Sequence, residues 1–212
     1  MLTLLLPVLL AAAVEVERVL ALVNNVPVLA SDVELAEVGV LVPREPAESD
    51  ADYARAVLEA LVDLELRWQD LKAAGITTRA QVDLDAAWRT TVERAGGEEA
   101  LRGKLAAIGF NEGPLRELVR RAAVVQSYVA SRFGPFVRPT GQEVETFWQK
   151  ELVPQLTSEG KPVPPLADVR GKVEALLRER KLAAEIDGWT ADLAKRAEIV
   201  RYLAPPAASS PR

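Results

Sequence analysis

Histidine and cysteine are both missing from this chain, so any chemistry it performs must rest on carboxylates, amines, guanidinium groups and hydroxyls. The absence of cysteine removes thiol nucleophiles, disulfides and thiolate metal sites together. The absence of histidine removes the commonest general base and the commonest transition-metal ligand. Zinc hydrolases, Ser-His-Asp enzymes and Cys-His enzymes are thereby excluded, while paired-carboxylate chemistry of the glycosidase kind stays formally open. The acidic groupings are Glu98-Glu99 and Asp83 with Asp85. Asp83 and Asp85 stand two positions apart and cannot share a helix face. Nothing near either grouping marks a pocket, so both read as solvated surface. Arg116, Arg120 and Arg121 form the one basic cluster. Arg116 and Arg120 share a helix face and could steer acidic clients or pair with neighbours such as Glu117, and they too read as surface. No nucleotide-binding Gly-Lys loop of the P-loop pattern is present, and no cofactor or metal site is implied.

Side chains suited to binding are better represented. Trp68, Trp88, Trp148 and Trp189 could anchor client peptides, although Trp68 and Trp189 fall on helix faces that read as core. Phe110, Phe133 and Phe136 fall at helix ends or in the Gly134-Pro135 connection, where rings can form a cleft wall. Together with Trp148, these three are the candidate peptide-binding residues. Rings of this kind bind extended chains by apolar contact, backed by backbone hydrogen bonds at a sheet edge.

These residues need a scaffold, and the 212 residues allow one ordinary domain with room for a small lobe. A hydrophobic content of 49% supplies a core. The net charge of −5 with scattered basic residues argues against nucleic acid, which needs concentrated Lys and Arg. Residues 1–13 (MLTLLLPVLLAAA) are too short an apolar stretch to span a bilayer. They end in Ala11-Ala12-Ala13, an A-x-A pattern that signal peptidase cuts, which sets Val14 as the mature start and the periplasm as the destination. With no cysteine beside the cut, a lipid anchor is excluded, and no other segment is long and apolar enough to span a membrane.

Along the mature chain, two β-branched runs flank Asn24-Asn25, the pattern of a two-residue hairpin, and Pro27 marks the second run as an edge strand. Ser31 with Glu34 forms a capping-box pattern that opens a helix to about Val42. The steps from Tyr53 through Val57, Leu61, Leu64 and Trp68 to Leu71 predict a helix from about Asp50 to Ala74, with Gly75 as its left-handed cap. Thr78 with Gln81 is a second capping pattern, predicting a helix to about Ala95. A short helix to Ile108 follows, and then one from the Asn111 cap to Phe133. Thr140 with Glu143 caps a helix that should stop before Pro154. Residues 154–165 read as a polar, Pro-rich connector. A long helix from Leu166 to about Ala197 precedes a strand over Glu198 to Leu203, and residues 204–212 read as a disordered tail.

In this order the segments resemble the N-terminal chaperone domain of the SurA-type periplasmic chaperones. The resemblance is carried by VLALVNNVPVLASDVELAEV, LVDLELRWQDLKAAGIT, QVDLDAAW, LRGKLAAIGF and PLRELVRRAAVVQSYV. Near the C-terminus, EVETFWQKE resembles the helix before the family's isomerase module. LADVRGKVEALLRERKLAAEIDGWTADLAKRAEIVRYL resembles the helix and strand that return to complete its core. The resemblance implies a mainly α fold of about seven helices, with a small β element made by strands from both ends. It divides the chain into a leader (1–13), a helical domain (14–153), a connector (154–165), a returning helix and strand (166–203) and the tail (204–212). Many family members carry parvulin-type prolyl isomerase domains between Trp148 and Leu166, where this chain has only the connector, and a parvulin site normally contains histidine. The expected function is therefore that of a non-enzymatic, ATP-independent holdase for unfolded polypeptides, in particular those bound for the outer membrane. A prolyl isomerase with residual cis-trans activity and a dedicated periplasmic adaptor are the alternatives.

Overall fold

The computed structural model describes residues 17–202, so the expected leader and the expected tail fall outside the described residues. The two valine-rich runs form β1 (Val19–Val23) and β2 (Val26–Leu29), joined at Asn24 and Asn25 with φ of 48° and 70°. Positive φ at both positions is what a hairpin turn matching the strand twist requires, and asparagine tolerates it. The last strand, β3 (Ile199–Arg201), pairs antiparallel with β1 in the register Val23 to Ile199 and Ala21 to Arg201. Strand order is β2-β1-β3, so Pro27 sits on an edge strand, as its missing N–H demands.

The helices are α1 (Ala30–Val38), α2 (Asp50–Ala73), α3 (Leu84–Ala95), α4 (Glu98–Ala107), α5 (Glu112–Arg132), α6 (Gly141–Phe147), α7 (Val153–Ser158) and α8 (Leu166–Ala194). A π-helical turn, Trp148–Leu152, joins α6 to α7 without a break, so seven helical rods stand among the described residues beside the small terminal sheet. The chain is mainly α with strands from both ends, as expected.

Several boundaries differ from the sequence reading, each for a local reason. Helix α1 starts at Ala30, so Ser31 lies inside its first turn and does not cap it. Leu29 is still extended and paired with Val19 in the sheet, and its amide is taken by the Asp32 carboxylate at 2.9 Å. The helix also stops at Val38, short of Val42. Val40 turns left-handed at φ 48°, and Leu41 N–H reaches back to the Ala36 carbonyl at 2.9 Å. Gly39 permits this end because a Cβ there would lie 2.8 Å from a methyl of Leu115, which is fully buried.

Thr78 does not open a helix. Its hydroxyl donates to the Gly75 carbonyl at 3.2 Å, and the Arg79 guanidinium donates to the carbonyls of Gly75 and Ala74. Both side chains thus bond carbonyls of the turn just past α2 and hold that turn in place. Helix α3 starts only at Leu84, with Asp83 accepting the Ala86 amide at 2.8 Å. The caps at Asn111 and at Thr140 with Glu143 form as expected.

Pro154 does not end its helix either. Proline has no N–H for the carbonyl four residues back. The chain widens into the π turn, where Val153 N–H bonds Trp148 O, and Pro154 falls in the first turn of α7. Helical structure therefore occupies residues 154–158 of what reads as a connector. Helix α8 ends at Ala194, three residues earlier than expected.

Four apolar clusters hold these elements. One packs the sheet on α1, α2 and the end of α8 through Leu20, Val23, Val57 and Leu193. A second joins α1, α3, α4 and α5 around Leu101, Leu105 and Leu115. Complete burial of each such leucine contributes about 1.5–3 kcal/mol. A third gathers Trp68, Leu71, Val125 and Val129, with Trp189 and Ile186 of α8 against it. The fourth is a satellite core of Val144, Phe147, Trp148, Val173 and Leu177. Helix α8 runs from this satellite lobe to the main body and is the element common to both.

Candidate functional site

The four candidate aromatics go to different places. Phe110 is half-buried against the Leu101–Leu105–Leu115 cluster. Phe133 is half-buried beside Tyr128 and Trp189, with ring centroids 6.5 and 5.9 Å away. Trp148 is 5% exposed inside the satellite core, while Phe136, on the loop between α5 and α6, is 77% exposed. They line no common cleft, and among the four Phe136 alone presents an open ring. Trp68 is buried as expected of a helix-face aromatic. Trp189 is half-buried and donates Nε1–H to Asp70 at 3.3 Å, and Trp88 carries the Arg116 guanidinium over its ring at 3.9 Å.

An apolar groove of about 280 Å³ opens elsewhere, between the α1–α2 loop, α2, α5 and α8. Leu61 and Leu64 stand three residues apart on α2, and Ala122, Val125 and Val129 stand three and four apart on α5. Helical spacing thus turns each set to one face. Ile186 of α8 and the loop residues Leu41 and Val42 complete the walls. The early stop of α1 matters here, because it frees Leu41 and Val42 to form a wall. That loop is fixed by the Tyr53 hydroxyl donating to Val42 O at 2.9 Å, with Arg44 over the Tyr53 ring at 5.1 Å. Ala36, Ala60 and Ala122 are the small lining residues. Their methyl groups fill little of the space between the packed helices, so the gap stays open.

Two polar side chains interrupt this lining, Arg67 and Gln126. The Arg67 guanidinium is held by Nε–H donating to Thr190 Oγ1 at 2.7 Å and by Nη2 against Asp63 at 3.3 Å. Burial lowers the arginine's proton affinity, partly countered by Asp63 and Asp187. Burial likewise pushes the Asp63 carboxyl up, against the pull of Arg67 and with the help of Glu59 and Asp187. The pair is therefore partly desolvated and loosely bonded.

The remaining charges serve the scaffold. Glu65, 8% exposed, accepts from Gln69 at 2.8 Å and from Arg121 at 3.2 Å, and Gln69 also donates to Val23 O. This ties the hairpin and α5 to α2, so Arg121 is more than the surface charge it reads as. Arg116 pairs with Glu112 and Arg120 with Glu117, each within α5. A cleft of about 540 Å³ between α6 and α8 is crossed by ion pairs, Lys181 to Glu143 at 2.6 Å and Arg180 to Glu151. Among the described residues no three carboxylates gather as a metal site would require, and no helix is long and apolar enough to cross a membrane.

The groove thus combines an apolar lining with the fixed guanidinium of Arg67. Neither a scan against protein-family models nor a search of characterised proteins gave a match to this chain.

The groove residues were harder to find from sequence than the aromatics. Leu61, Leu64, Val125, Val129 and Ile186 obey helical periodicity and so read as core. The available signal was the alanine at positions 60 and 122 within otherwise bulky apolar faces.

Proposed function

We propose that this chain is a SurA-type periplasmic chaperone that holds unfolded polypeptides, in particular those bound for the outer membrane, without ATP and without catalysis. The groove between α2, α5 and α8 carries the reading. It is a concave opening lined almost entirely by apolar side chains between packed helices, and such a lining with a fixed polar group suits a binding site. The pairing of β1 with β3 agrees with the resemblance, which requires strands from both ends to meet. The short edge strands β2 and β3 supply backbone groups for extended clients.

The test is light scattering from a chemically unfolded client diluted into buffer, with stoichiometric protein present. Wild type is expected to suppress aggregation. Ala122→Phe, which fills the groove, is expected to lose most of that suppression while unfolding within a few degrees of wild type. No suppression by wild type overturns the holdase reading. Capture of one stoichiometric partner, with no effect on unfolded clients, favours the adaptor.

A further inference from the structure

The groove has a charge preference as well as a shape. Among the described residues, Arg67 is the one ionisable residue in its lining, and no anion stands with it there. Its nearest counterion, Asp63, lies at 3.3 Å, which is long beside the roughly 2.7–2.9 Å of a good charge-assisted bond. Asp63 is further discouraged from ionising by Glu59 and Asp187. The guanidinium is nevertheless fixed in place. Thr190 accepts from Nε, and its own hydroxyl donates a hydrogen bond to Ile186 O at 2.7 Å, which fixes the hydroxyl's orientation. Among the described residues no buried side-chain nitrogen lacks a partner, so the unbonded edge of the guanidinium reaches solvent. An oriented, underpaired guanidinium beside an apolar wall suits a carboxylate, which it can bond in its fork geometry.

Size narrows the occupant further. At about 280 Å³ the groove lies just under the roughly 300–1,000 Å³ of sites that enclose a small molecule. It accommodates one or two side chains of a polypeptide and leaves the main chain outside. In an extended chain, side chains two residues apart point to the same face. Resting on the reading of the groove as a polypeptide site, we propose that it selects segments in which an acidic side chain stands two residues from a large aliphatic one. The aliphatic chain enters between α2 and α5, and the carboxylate bonds Arg67.

Fluorescence anisotropy with short labelled peptides tests this. One peptide carries Leu-Ser-Glu within an otherwise small and neutral sequence and is amidated at its end. Its twin has Gln for Glu, and a third has Gln with a free terminal carboxylate. Wild type is expected to bind the Glu peptide about tenfold more tightly than its twin, the size of one hydrogen bond to a charged group. Added salt is expected to shrink that preference, a readout that requires no variant. Arg67→Gln is expected to erase the difference between the two peptides. Equal wild-type binding of Glu and Gln peptides overturns the charge preference while the groove reading stands. Tight binding of the third peptide overturns the internal acidic side chain as the source of the carboxylate. Binding of none of the three overturns the groove reading itself.

Discussion

The Asp83 carboxylate closes the first turn of α3 by accepting the Ala86 amide. Asp83→Ala should cost about 1 kcal/mol of stability, the usual loss for a helix N-cap, whereas Thr78→Ala should cost only a few tenths, the usual range for an exposed surface change. Urea unfolding of the two variants checks the ranking. By its capping pattern the sequence marks Thr78 as the helix start, while Asp83 reads only as part of a solvated acidic pair. What separates them is Arg79, whose guanidinium turns back to the carbonyls of Gly75 and Ala74, and local spacing does not reveal that fold-back. Glu143 shows the opposite case, a capping pattern that the structure realises and extends. Its carboxylate bonds Lys181 at 2.6 Å and the Thr140 amide at 2.7 Å, and the Lys181 contact leads in drawing its pKa down to about 2. A carboxyl depressed in the folded state stabilises the fold above its unfolded value, near 4.5, and loses that contribution as pH falls toward about 2. Wild type should therefore lose more stability than Glu143→Gln across that interval, as followed by denaturant midpoints.

At the scale of elements, the satellite lobe depends on a few side chains. Its core contains Val144, Phe147, Trp148, Val173 and Leu177, and α8 is the rod that connects it to the body. Trp148→Ala should open a cavity and cost about 3–5 kcal/mol of packing within the lobe. Because the other clusters do not share these residues, amide exchange should accelerate across α6, α7 and the first half of α8, with α2 and α5 still protected. Equal acceleration everywhere would show one cooperative unit. Helices α2 and α5 were legible because Leu61, Leu64 and Trp68, or Val125 and Val129, recur at helical steps over many turns. The end of α6 was not, because Pro154 is a stop signal by its own chemistry. A π turn at Trp148–Leu152 absorbs the missing N–H, and the burial of Trp148 and Phe147 holds that turn in place.

For the molecule as a whole, the order of elements could be read from the chain, while the groove could not. Each wall of the groove is an ordinary amphipathic face. The opening is lined by Ala60 of α2 and Ala122 of α5, small residues far apart in sequence, and α1 ends early against Leu115. Both are long-range facts that a single helix's periodicity does not encode. The candidate aromatics read from sequence as rings available to a cleft wall. Three of them instead fill gaps between rods, where a large ring buries the most area.

The pairing of β1 with β3 has a kinetic corollary. Strand β1 has its second neighbour only once residues 199–201 arrive, at nearly the full sequence distance the described chain allows. A chain emerging from its N-terminus can complete the hairpin and most helices, yet β1 waits with one edge uncovered. Closing so large a loop adds little to the equilibrium cost, which grows only with the logarithm of loop length. It slows folding much more, because non-local strand pairing raises contact order. Tyr202 N–H lies bonded to Leu20 O at 2.9 Å, so the two ends can be joined by a short linker. A permuted chain, opened instead within residues 159–165, converts β3–β1–β2 into a local meander. It should refold faster than the natural order with a similar unfolding midpoint, as stopped-flow tryptophan fluorescence would record. The natural arrangement is slower, and it leaves the protein that is proposed to shield unfinished chains briefly in need of shielding itself.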